Sequence, residues 1–192
     1  MLPLLLASSS VYRRELLSRL QLPFTCSSPD IDESHRPGEH AIELVKRLAE
    51  EKARALATTH PAHLIIGSDQ VAVLGERIIG KPHTFDKARQ QLLDASGASV
   101  TFLTGLALLN SKSGQCQVDC IPFTVNMRHL DSARIERYLH AEQPFDCAGS
   151  FKAEGLGVSL FQSTAGSDTT SLIGLPLIRL VDMLLAEGVE VP

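Results

Sequence analysis

Two adjacent arginines follow three serines near the start of the chain, in the segment LASSSVYRRELL at residues 6–17. The continuous apolar run at residues 2–7 is typical of a strand that is buried on both faces. A polar turn between such a strand and a helix presents backbone N–H groups and the positive end of the helix dipole. Ser8, Arg13 and Arg14 would add donors for a phosphate there. Capping serines and solvated arginines explain this segment equally well.

Two acidic residues are candidates for binding a metal ion or activating a water molecule. Asp69 follows the apolar residues of LIIGSDQ, where the sequence predicts that a strand opens into the ligand crevice of a parallel sheet. Glu33 lies in the acidic turn PDIDES and would supply the second carboxylate. Both residues also have an ordinary interpretation, because aspartate after Gly-Ser commonly forms turns and acidic loop residues are usually solvated.

Three lysines are candidates for binding phosphate. Lys81 lies in GERIIGKP, which nearly matches the phosphate-binding loop, but Pro82 replaces the hydroxyl residue that would reach magnesium. This segment is instead predicted to be the return strand of a hairpin. Lys152 and Glu154 would share one face of a strand, where the lysine can meet phosphate and the glutamate can contact base edges. Lys52, within EEKAR, is also typical of a solvated helix face.

Other catalytic classes have little support in this sequence. The seven histidines form neither H-x-x-x-H nor HExxH, and the four cysteines lack the spacing of a zinc site. The segment around Ser150 lacks the G-x-S-x-G elbow of a serine hydrolase. The cysteines are therefore expected to be reduced and structural.

The bulk properties are those of an ordinary globular enzyme. The chain has 192 residues, of which 44% are hydrophobic, and a net charge of -4. This length is enough for one sizeable α/β core or for two small lobes that share a cleft. The net charge provides no basic field for nucleic acid. The apolar start is shorter than the hydrophobic part of a signal peptide, and no run approaches the roughly 20 residues that span a bilayer. We expect a single domain at residues 1–192, located in the cytoplasm, that binds neither membranes nor, stably, nucleic acid.

Strand and helix patterns alternate along the chain, which predicts an α/β fold with a mixed central sheet flanked by helices. Helices are predicted at residues 14–20, 39–60, 84–95, 131–142 and 174–188, and strands at residues 2–7, 63–74, 100–110 and 117–127. Thr84 is a predicted helix cap, and either Asp131 or Ser132 is predicted to cap the helix at residues 131–142. The strand at residues 63–74 is expected to be interrupted at residues 67–70, and residues 163–171 are expected to form a mobile loop or lead into a helix.

Motifs spread in order over almost the whole chain resemble the Maf-like nucleotide pyrophosphatases. These motifs are LASSSVYRRELL, PDIDES, RLAEEKA, IIGSDQVAV, GKP, the Ser96-Gly97 pair, TGLAL, CAGSFKAEGLG and GLPL. The resemblance implies a Maf/inosine triphosphatase-like fold of two lobes with a cleft, and a homodimer. It also implies hydrolysis of nucleoside triphosphates to monophosphates and pyrophosphate, dependent on Mg²⁺ or Mn²⁺.

The resemblance assigns roles to the candidate residues. Those implied to bind substrate are Ser8, Arg13, Arg14 and Lys152, and those implied to act in catalysis are Glu33, Lys52, Asp69 and Lys81. Asp69 and Glu33 would hold the metal ion together with phosphate oxygens. The sequence leaves open whether Asp69 acts as general base, as metal ligand, or as both in turn.

Three positions mark the substrate branches of this family, and here they are Tyr12, Gln70 and Glu154. This trio resembles the branch that acts on 7-methyl-GTP, whereas the dTTP and UTP branch carries Arg, Thr and Gln. Methylation at N7 gives guanine a positive charge, so Tyr12 can stack on it and Glu154 can accept from its N1 and N2 donors. Close relatives are expected to have tryptophan in place of Tyr12, which predicts weaker stacking in this chain.

Three alternatives remain open on the sequence alone. A pyrophosphatase for dTTP, UTP or other modified triphosphates would keep the same catalytic residues with a different base pocket. A nucleotide-binding regulator of cell division would bind nucleotides without turnover. A purely structural domain would tolerate changes at Arg13, Arg14 and Asp69.

Overall fold

The computed structural model describes residues 2–191. They form two compact units, neither of which is continuous in sequence. Unit 1 contains residues 2–70, 104–121 and 168–191, and unit 2 contains residues 71–103 and 122–167. Over the described residues, no helix combines the length and apolar character needed to cross a membrane.

Strands and helices alternate along much of the chain. The strands are β1 (Leu4–Ala7), β2 (Phe24–Ser27), β3 (Leu64–Leu74), β4 (Arg77–Ile79), β5 (Ser99–Asn110), β6 (Cys116–Met127) and β7 (Phe161–Gly166). The α-helices are α1 (Val11–Ser18), α2 (Ala41–Ala55), α3 (Phe85–Ala95), α4 (Ser132–Glu142), α5 (Thr169–Ile173) and α6 (Leu177–Ala186). Short 3-10 helices lie at Ala148–Ser150 and Leu156–Leu160.

The strands belong to one mixed sheet. Over residues 2–191 it has seven strands in the order β2-β1-β3-β5-β6-β7, with β4 paired to β3. β1 is parallel to both β2 and β3, so that Leu5 lies opposite Thr25 on one side and Ile65 on the other. β4 is antiparallel to β3, and β7 is antiparallel to β6. The mixed α/β fold predicted from the sequence is confirmed.

In unit 1, alternate residues of β1 enter two different hydrophobic clusters. Leu4 and Leu6 pack with residues of α1 and α6, whereas Leu5 and Ala7 pack with residues of α2. Because successive side chains of a strand point to opposite faces, helices cover both faces of this part of the sheet. This double burial explains why β1 is an uninterrupted apolar run.

Unit 2 has a core that includes three phenylalanines. The ring centroid of Phe151 lies 5.2 Å from that of Phe102 and 5.0 Å from that of Phe161, both in edge-to-face geometry. α3 and α4 add buried aliphatic side chains, among them Leu92 and Leu139. These contacts anchor Phe151 and so fix the start of the segment that carries Lys152 and Glu154.

Side-chain caps mark the first residues of several helices. Ser10, Thr84 and Asp131 each accept a hydrogen bond from the N–H three residues later, and Asp168 accepts one from the N–H two residues later. The predicted cap at Thr84 is confirmed, and of the two candidates Asp131 and Ser132 it is Asp131 that caps α4. Gly188, with a φ of 74°, follows the end of α6 as predicted.

Three predictions about the extent of elements are wrong. α2 ends at Ala55 rather than at residue 60. α1 begins at Val11 rather than at residue 14, so Arg13 and Arg14 lie inside the helix. β3 runs unbroken from Leu64 to Leu74, without the expected interruption at residues 67–70. Its polar residues are tolerated because they have partners within unit 1, described below.

Two further segments also differ from the prediction. Lys152 and Glu154 do not lie in a strand, because the chain turns there and Gly155 N–H donates to the Lys152 carbonyl oxygen at 3.2 Å. The expectation that they share one strand face is therefore wrong. The expected loop at residues 163–171 is wrong for its first part, which belongs to β7, while the lead into a helix is confirmed by α5.

Candidate active site

Lys52 is the centre of the candidate site in unit 1. Its Nζ lies 2.8 Å from Oδ1 of Asp69 and 2.9 Å from Oε1 of Glu33. Lys52 and Asp69 are only 7% and 8% exposed. Buried charges are costly unless they are paired, so the ion pair explains a lysine on the inner face of α2. The alternative of a solvated Lys52 is wrong.

Glycines allow α2 to approach the sheet closely enough for this ion pair. A Cβ at Gly67 would lie 2.0 Å from the carbonyl oxygen of Ala49, and Gly105 makes a similarly close approach to α2. No side chain fits at that distance, so glycine is required. Lys52 lies about one helical turn after Ala49, and Asp69 lies shortly after Gly67. The close approach therefore brings the ammonium and the carboxylate together.

Arg13 is fixed near these carboxylates by a distant backbone carbonyl. Its Nε donates to the Gly174 oxygen at 2.8 Å, and the Ser68 hydroxyl donates to the same oxygen at 3.0 Å. Burial lowers the pKa of the Arg13 guanidinium, and the negative charges of Asp69 and Glu33 oppose that effect. Because arginine keeps its proton in proteins, a positive charge is held beside the two acids.

The other candidates around the start of α1 differ in exposure. Ser8 is buried, and its Oγ accepts a hydrogen bond from Ser10 N–H at 3.1 Å. Arg14 is exposed and Tyr12 is 39% exposed. The first turn of α1 thus holds Arg13 inward and leaves Tyr12 and Arg14 accessible to a ligand from solvent.

The side-chain amide of Gln70 has a fixed orientation. Its Nε2 donates to Thr104 Oγ1 at 2.9 Å, to the Ser171 oxygen at 2.8 Å and to the Leu172 oxygen at 3.1 Å. The Thr104 hydroxyl itself donates to the Ser171 oxygen at 2.8 Å, so its oxygen can only accept from Gln70. Three acceptors therefore face Nε2, and Oε1 of Gln70 is turned away from them.

The remaining predicted site residues belong to unit 2. Lys152 Nζ lies 3.9 Å from Glu142 Oε1, and Lys152 N–H donates to the Tyr138 hydroxyl oxygen at 3.0 Å. Lys81 and Glu154 are exposed. Unit 1 thus brings together Arg13, Lys52 and both acids, while Lys81, Lys152 and Glu154 belong to unit 2.

The cysteines form no disulfide, and burial raises the pKa of the thiols that are enclosed. Cys26, Cys116, Cys120 and Cys147 are all free thiols. Burial raises the pKa of Cys116 and of Cys120 to about 11. Such thiols are protonated near neutral pH and make poor nucleophiles.

The segment that carries Glu33 is held against α2 by Arg47, a residue that belongs to no predicted site. Arg47 Nε and Nη2 donate to the two carboxylate oxygens of Glu39 at 2.5 and 2.8 Å. Nη2 also donates to the carbonyl oxygen of Ser34 at 3.1 Å, directly after Glu33. Nη1 donates to Glu51 at 3.0 Å, four residues along the helix. That i,i+4 spacing was the only local signal for this arginine.

We expect Glu39→Gln to remove a stabilising contribution that depends on pH. The hydrogen bonds from Arg47 lower the pKa of Glu39 from 4.5 to about 2. A carboxyl with a depressed pKa in the folded state stabilises the protein above its unfolded pKa, and this contribution is lost as the pH falls toward the folded pKa. The variant should therefore be less stable than the wild type at neutral pH, and the difference should shrink below a pH of about 4.5.

Urea denaturation at several pH values measures this difference. Glu76→Gln, at an exposed position in the hairpin turn before β4, is the control for loss of one negative charge. A stability difference between Glu39→Gln and wild type that stays constant across the acid range would contradict the assignment.

The donor set around Lys52 suits a divalent cation shared with a substrate. Oxygens of Asp69 and Glu33 already converge on one cationic group, the Lys52 ammonium. Among residues 2–191, however, no three His, Cys, Asp or Glu side chains group as metal ligands. Mg²⁺ commonly binds through one or two carboxylates together with substrate phosphates. The two acids fit that pattern better than a metal site made by protein alone.

Comparison with known proteins identifies the class to which this fold and site belong. The family model described as "Maf-like protein" matches residues 3–187. The chain belongs to this family, as its motifs predicted. A solved structure, "Structure of a HAM1 protein from Coxiella burnetii", has a TM-score of 0.53 and 16% identity, covering 97% of this chain and 100% of that one. At that identity the likeness shows the fold alone.

Relatives in several bacteria are much more similar in sequence. A protein of Pseudomonas fluorescens named "7-methyl-GTP pyrophosphatase" is 91% identical over 192 residues, which is 100% of both chains. Proteins of the same name are 72% identical in Pseudomonas aeruginosa, over 98% of both chains, and 58% identical in Alcanivorax borkumensis, over 98% of this chain and 96% of that one.

Proposed function

We propose that this chain is a nucleotide pyrophosphatase that hydrolyses 7-methyl-GTP to 7-methyl-GMP and pyrophosphate. The observation that carries the proposal is the buried Lys52 held between Asp69 and Glu33, with Arg13 close by. Binding of a nucleoside triphosphate needs clustered cations, and its hydrolysis needs a carboxylate that activates water or shares a metal ion. The names of the full-length relatives support the choice of substrate.

The cations of unit 1 are placed to bind phosphate oxygens. Arg13 offers a guanidinium whose Nε is already anchored to Gly174, so little conformational freedom is lost when its remaining donors bind. Arg14 lies beside it in sequence and is exposed. The buried Lys52 ammonium is paired with Asp69 and Glu33, and it can exchange these partners for a phosphate oxygen. For Lys81 and Lys152 of unit 2, and for Ser8, phosphate binding is proposed from the family resemblance.

The chemical step is attack of water on the α-phosphorus. A bond forms between the water oxygen and the α-phosphorus, and the bond from that phosphorus to the bridging oxygen breaks, releasing pyrophosphate. Asp69 takes the proton from the attacking water, or orients that water, from its position beside Lys52. Glu33, whose side chain is 59% exposed, is free to turn from Lys52 toward an arriving substrate.

A divalent cation, Mg²⁺ or Mn²⁺, completes the proposed site. Asp69 and Glu33 would hold it. When bound, such an ion neutralises phosphate charge and stabilises the charge that develops on the leaving group.

The proposed base selectivity rests on Tyr12, Gln70 and Glu154. The partly exposed ring of Tyr12 offers a face for the cationic 7-methylguanine. Gln70 presents its carbonyl oxygen rather than its amide nitrogen to a ligand, because Nε2 is engaged within unit 1. Glu154 offers a carboxylate that matches the N1 and N2 donors of guanine and balances its charge.

We expect Tyr12→Ala to raise KM for 7-methyl-GTP more than KM for GTP. Loss of stacking on a base costs about 1–3 kcal/mol, and only the methylated base adds the cation–π contribution. The expected ratio of the two KM changes is roughly fivefold, and Tyr12→Trp should change the ratio in the opposite direction. Steady-state kinetics on both nucleotides measures it. Val11→Ala, at the neighbouring exposed position, is the control, and equal KM changes for both nucleotides would contradict stacking.

A turnover panel tests the function as a whole. Purified protein with Mg²⁺ or Mn²⁺ is assayed on 7-methyl-GTP, GTP, dTTP, UTP, CTP and ATP, with pyrophosphate resolved from orthophosphate. Fastest pyrophosphate release from 7-methyl-GTP supports the proposal, and preference for dTTP or UTP would reject the base assignment but keep the enzyme. Binding without turnover of any triphosphate would favour a nucleotide-binding regulator instead.

The family resemblance also supports proposals about assembly and setting. We propose one functional domain, since each unit is built from separate chain segments, and a cytoplasmic homodimer that clears modified nucleotides before they enter RNA. Light scattering tests the dimer, with an expected mass of twice the 20.8 kDa of one chain.

A further inference from the structure

One side chain in unit 2 hydrogen bonds to both segments that carry candidate phosphate-binding lysines. Gln91, on α3, donates from Nε2 to the carbonyl oxygen of Gly80 at 3.2 Å, and its Oε1 accepts a hydrogen bond from the Ser150 hydroxyl. Gly80 directly precedes Lys81, and Ser150 lies two residues before Lys152. One side-chain amide on α3 therefore holds the backbone segments that carry the two lysines.

The segment of Lys81 is fixed on both sides of the lysine. Before it, the Gly80 carbonyl is held by Gln91, as described above. After it, Pro82 is buried and His83 N–H donates to the carbonyl oxygen of Phe145 at 2.9 Å. Lys81 itself is exposed. The backbone is thus constrained while the lysine side chain remains accessible to solvent.

The segment of Lys152 has an unusual backbone conformation that local sequence does not favour. Gly149 and Ser150 have consecutive positive φ angles of 74° and 62°, and Ser150 is completely buried. A non-glycine residue in the left-handed region is disfavoured and persists only where surrounding contacts hold it. The Ser150 hydroxyl bond to Gln91 is one such contact, and the Lys152 N–H bond to Tyr138 is another.

The two lysines also lie in one electrostatic environment. Burial raises the pKa of the Cys147 thiol, the charge of Glu154 adds to this effect, and the charges of Lys152 and Lys81 oppose it. The charges of both lysines therefore act on the same thiol.

We propose that Gln91 is a positioning residue that sets Lys81 and Lys152 for the phosphates of a nucleoside triphosphate. The proposal rests on the function proposed above. An amide suits this place because it provides a donor for Gly80 and an acceptor for Ser150 at once, which neither a carboxylate nor an apolar side chain does. Gln91 touches no substrate atom in this scheme and acts through the two segments.

Gln91→Ala tests the proposal, with Gln90→Ala as the matched control. Gln90 is the preceding residue on α3, and its Nε2 donates to Asp94 Oδ1 at 2.7 Å. Misplacement of both lysines should raise KM by about tenfold for 7-methyl-GTP and equally for GTP, because the phosphates are common to both. The dissociation constant of inorganic pyrophosphate, measured by calorimetry, should rise by a similar factor. Gln90→Ala should match the wild type in all three.

A second set of variants tests whether the hydrogen bond to Ser150 is the route. Gln91→Glu keeps an acceptor for Ser150 and loses the donor to Gly80, so its KM should fall between those of wild type and Gln91→Ala. Ser150→Ala alone should also raise KM. In the double variant with Gln91→Ala, the rise in KM should be smaller than the two single effects combined, because both changes break the same hydrogen bond.

The outcomes separate this proposal from the function on which it rests. If the wild type hydrolyses 7-methyl-GTP and Gln91→Ala behaves as Gln90→Ala does, the positioning role is wrong and the function stands. If no triphosphate is hydrolysed but Gln91→Ala still weakens pyrophosphate binding, the function fails and the positioning role stands. A KM change confined to one base, or a wild type that does not bind pyrophosphate, overturns the positioning role.

Discussion

Replacement of Asp69 by asparagine will lower kcat/KM for 7-methyl-GTP by roughly a thousandfold while the protein stays folded. Asparagine has the same shape, and its side-chain oxygen can still accept the hydrogen bond that Lys52 Nζ now makes at 2.8 Å. Glu33 also remains to balance the lysine charge. The variant lacks only the negative charge, and that charge is what a general base or a metal ligand requires.

Pyrophosphate release measures this loss, and circular dichroism confirms the fold. Asp182→Asn, an exposed aspartate of α6 in the same unit, is the control and should keep wild-type turnover. A titration with Mg²⁺ separates the two roles of Asp69, because a lost ligand is compensated by more metal and a lost base is not. Near-full turnover by folded Asp69→Asn would reject the assignment of this residue.

The elements that were predicted correctly have signals within a few residues of sequence. The apolar run of β1 is continuous because both of its faces are covered, and the stripe on α2 recurs at helical spacing because one face is buried. Thr84 and Asp131 cap their helices through bonds to N–H groups three residues away. Each of these features leaves its signal in neighbouring residues of the sequence, so sequence patterns can reveal it.

β3 was mispredicted because its polar residues are satisfied by distant parts of the chain. Ser68 donates to the oxygen of Gly174, and Asp69 binds Lys52. Locally, Gly-Ser-Asp-Gln has the composition of a turn. No pattern near residue 69 shows that its carboxylate pairs with a lysine 17 positions earlier.

The candidate site was predicted through family motifs rather than through local patterns. On residue type alone, Lys52 in EEKAR was typical of a solvated helix face. Its burial depends on Gly67, which lies 15 residues later on β3. Gln91, Arg47 and Gly174 were missed because each acts through backbone carbonyls or a distant side chain. Such contacts leave no spacing in the sequence that a pattern search can detect.

Gly67→Ala will lower the free energy of unfolding by about 3 kcal/mol. The new Cβ would lie 2.0 Å from the carbonyl oxygen of Ala49 and 3.1 Å from the backbone nitrogen of Ala53. Both are backbone atoms of α2, so no side chain can rotate to make room. Either α2 must move away from β3 or the strand must bend, and both responses disturb the packing of Leu5, Ile65 and their neighbours.

Urea denaturation of Gly67→Ala beside Gly80→Ala gives the decisive comparison. A Cβ at Gly80 would meet nothing within 4 Å, so that control should change stability by no more than about 0.5 kcal/mol. Because displacement of α2 also separates Lys52 from Asp69, the folded fraction of Gly67→Ala should lose turnover as well. Equal unfolding midpoints for the two variants would mean that α2 does not need this glycine, and the ion pair would then require another explanation for its burial.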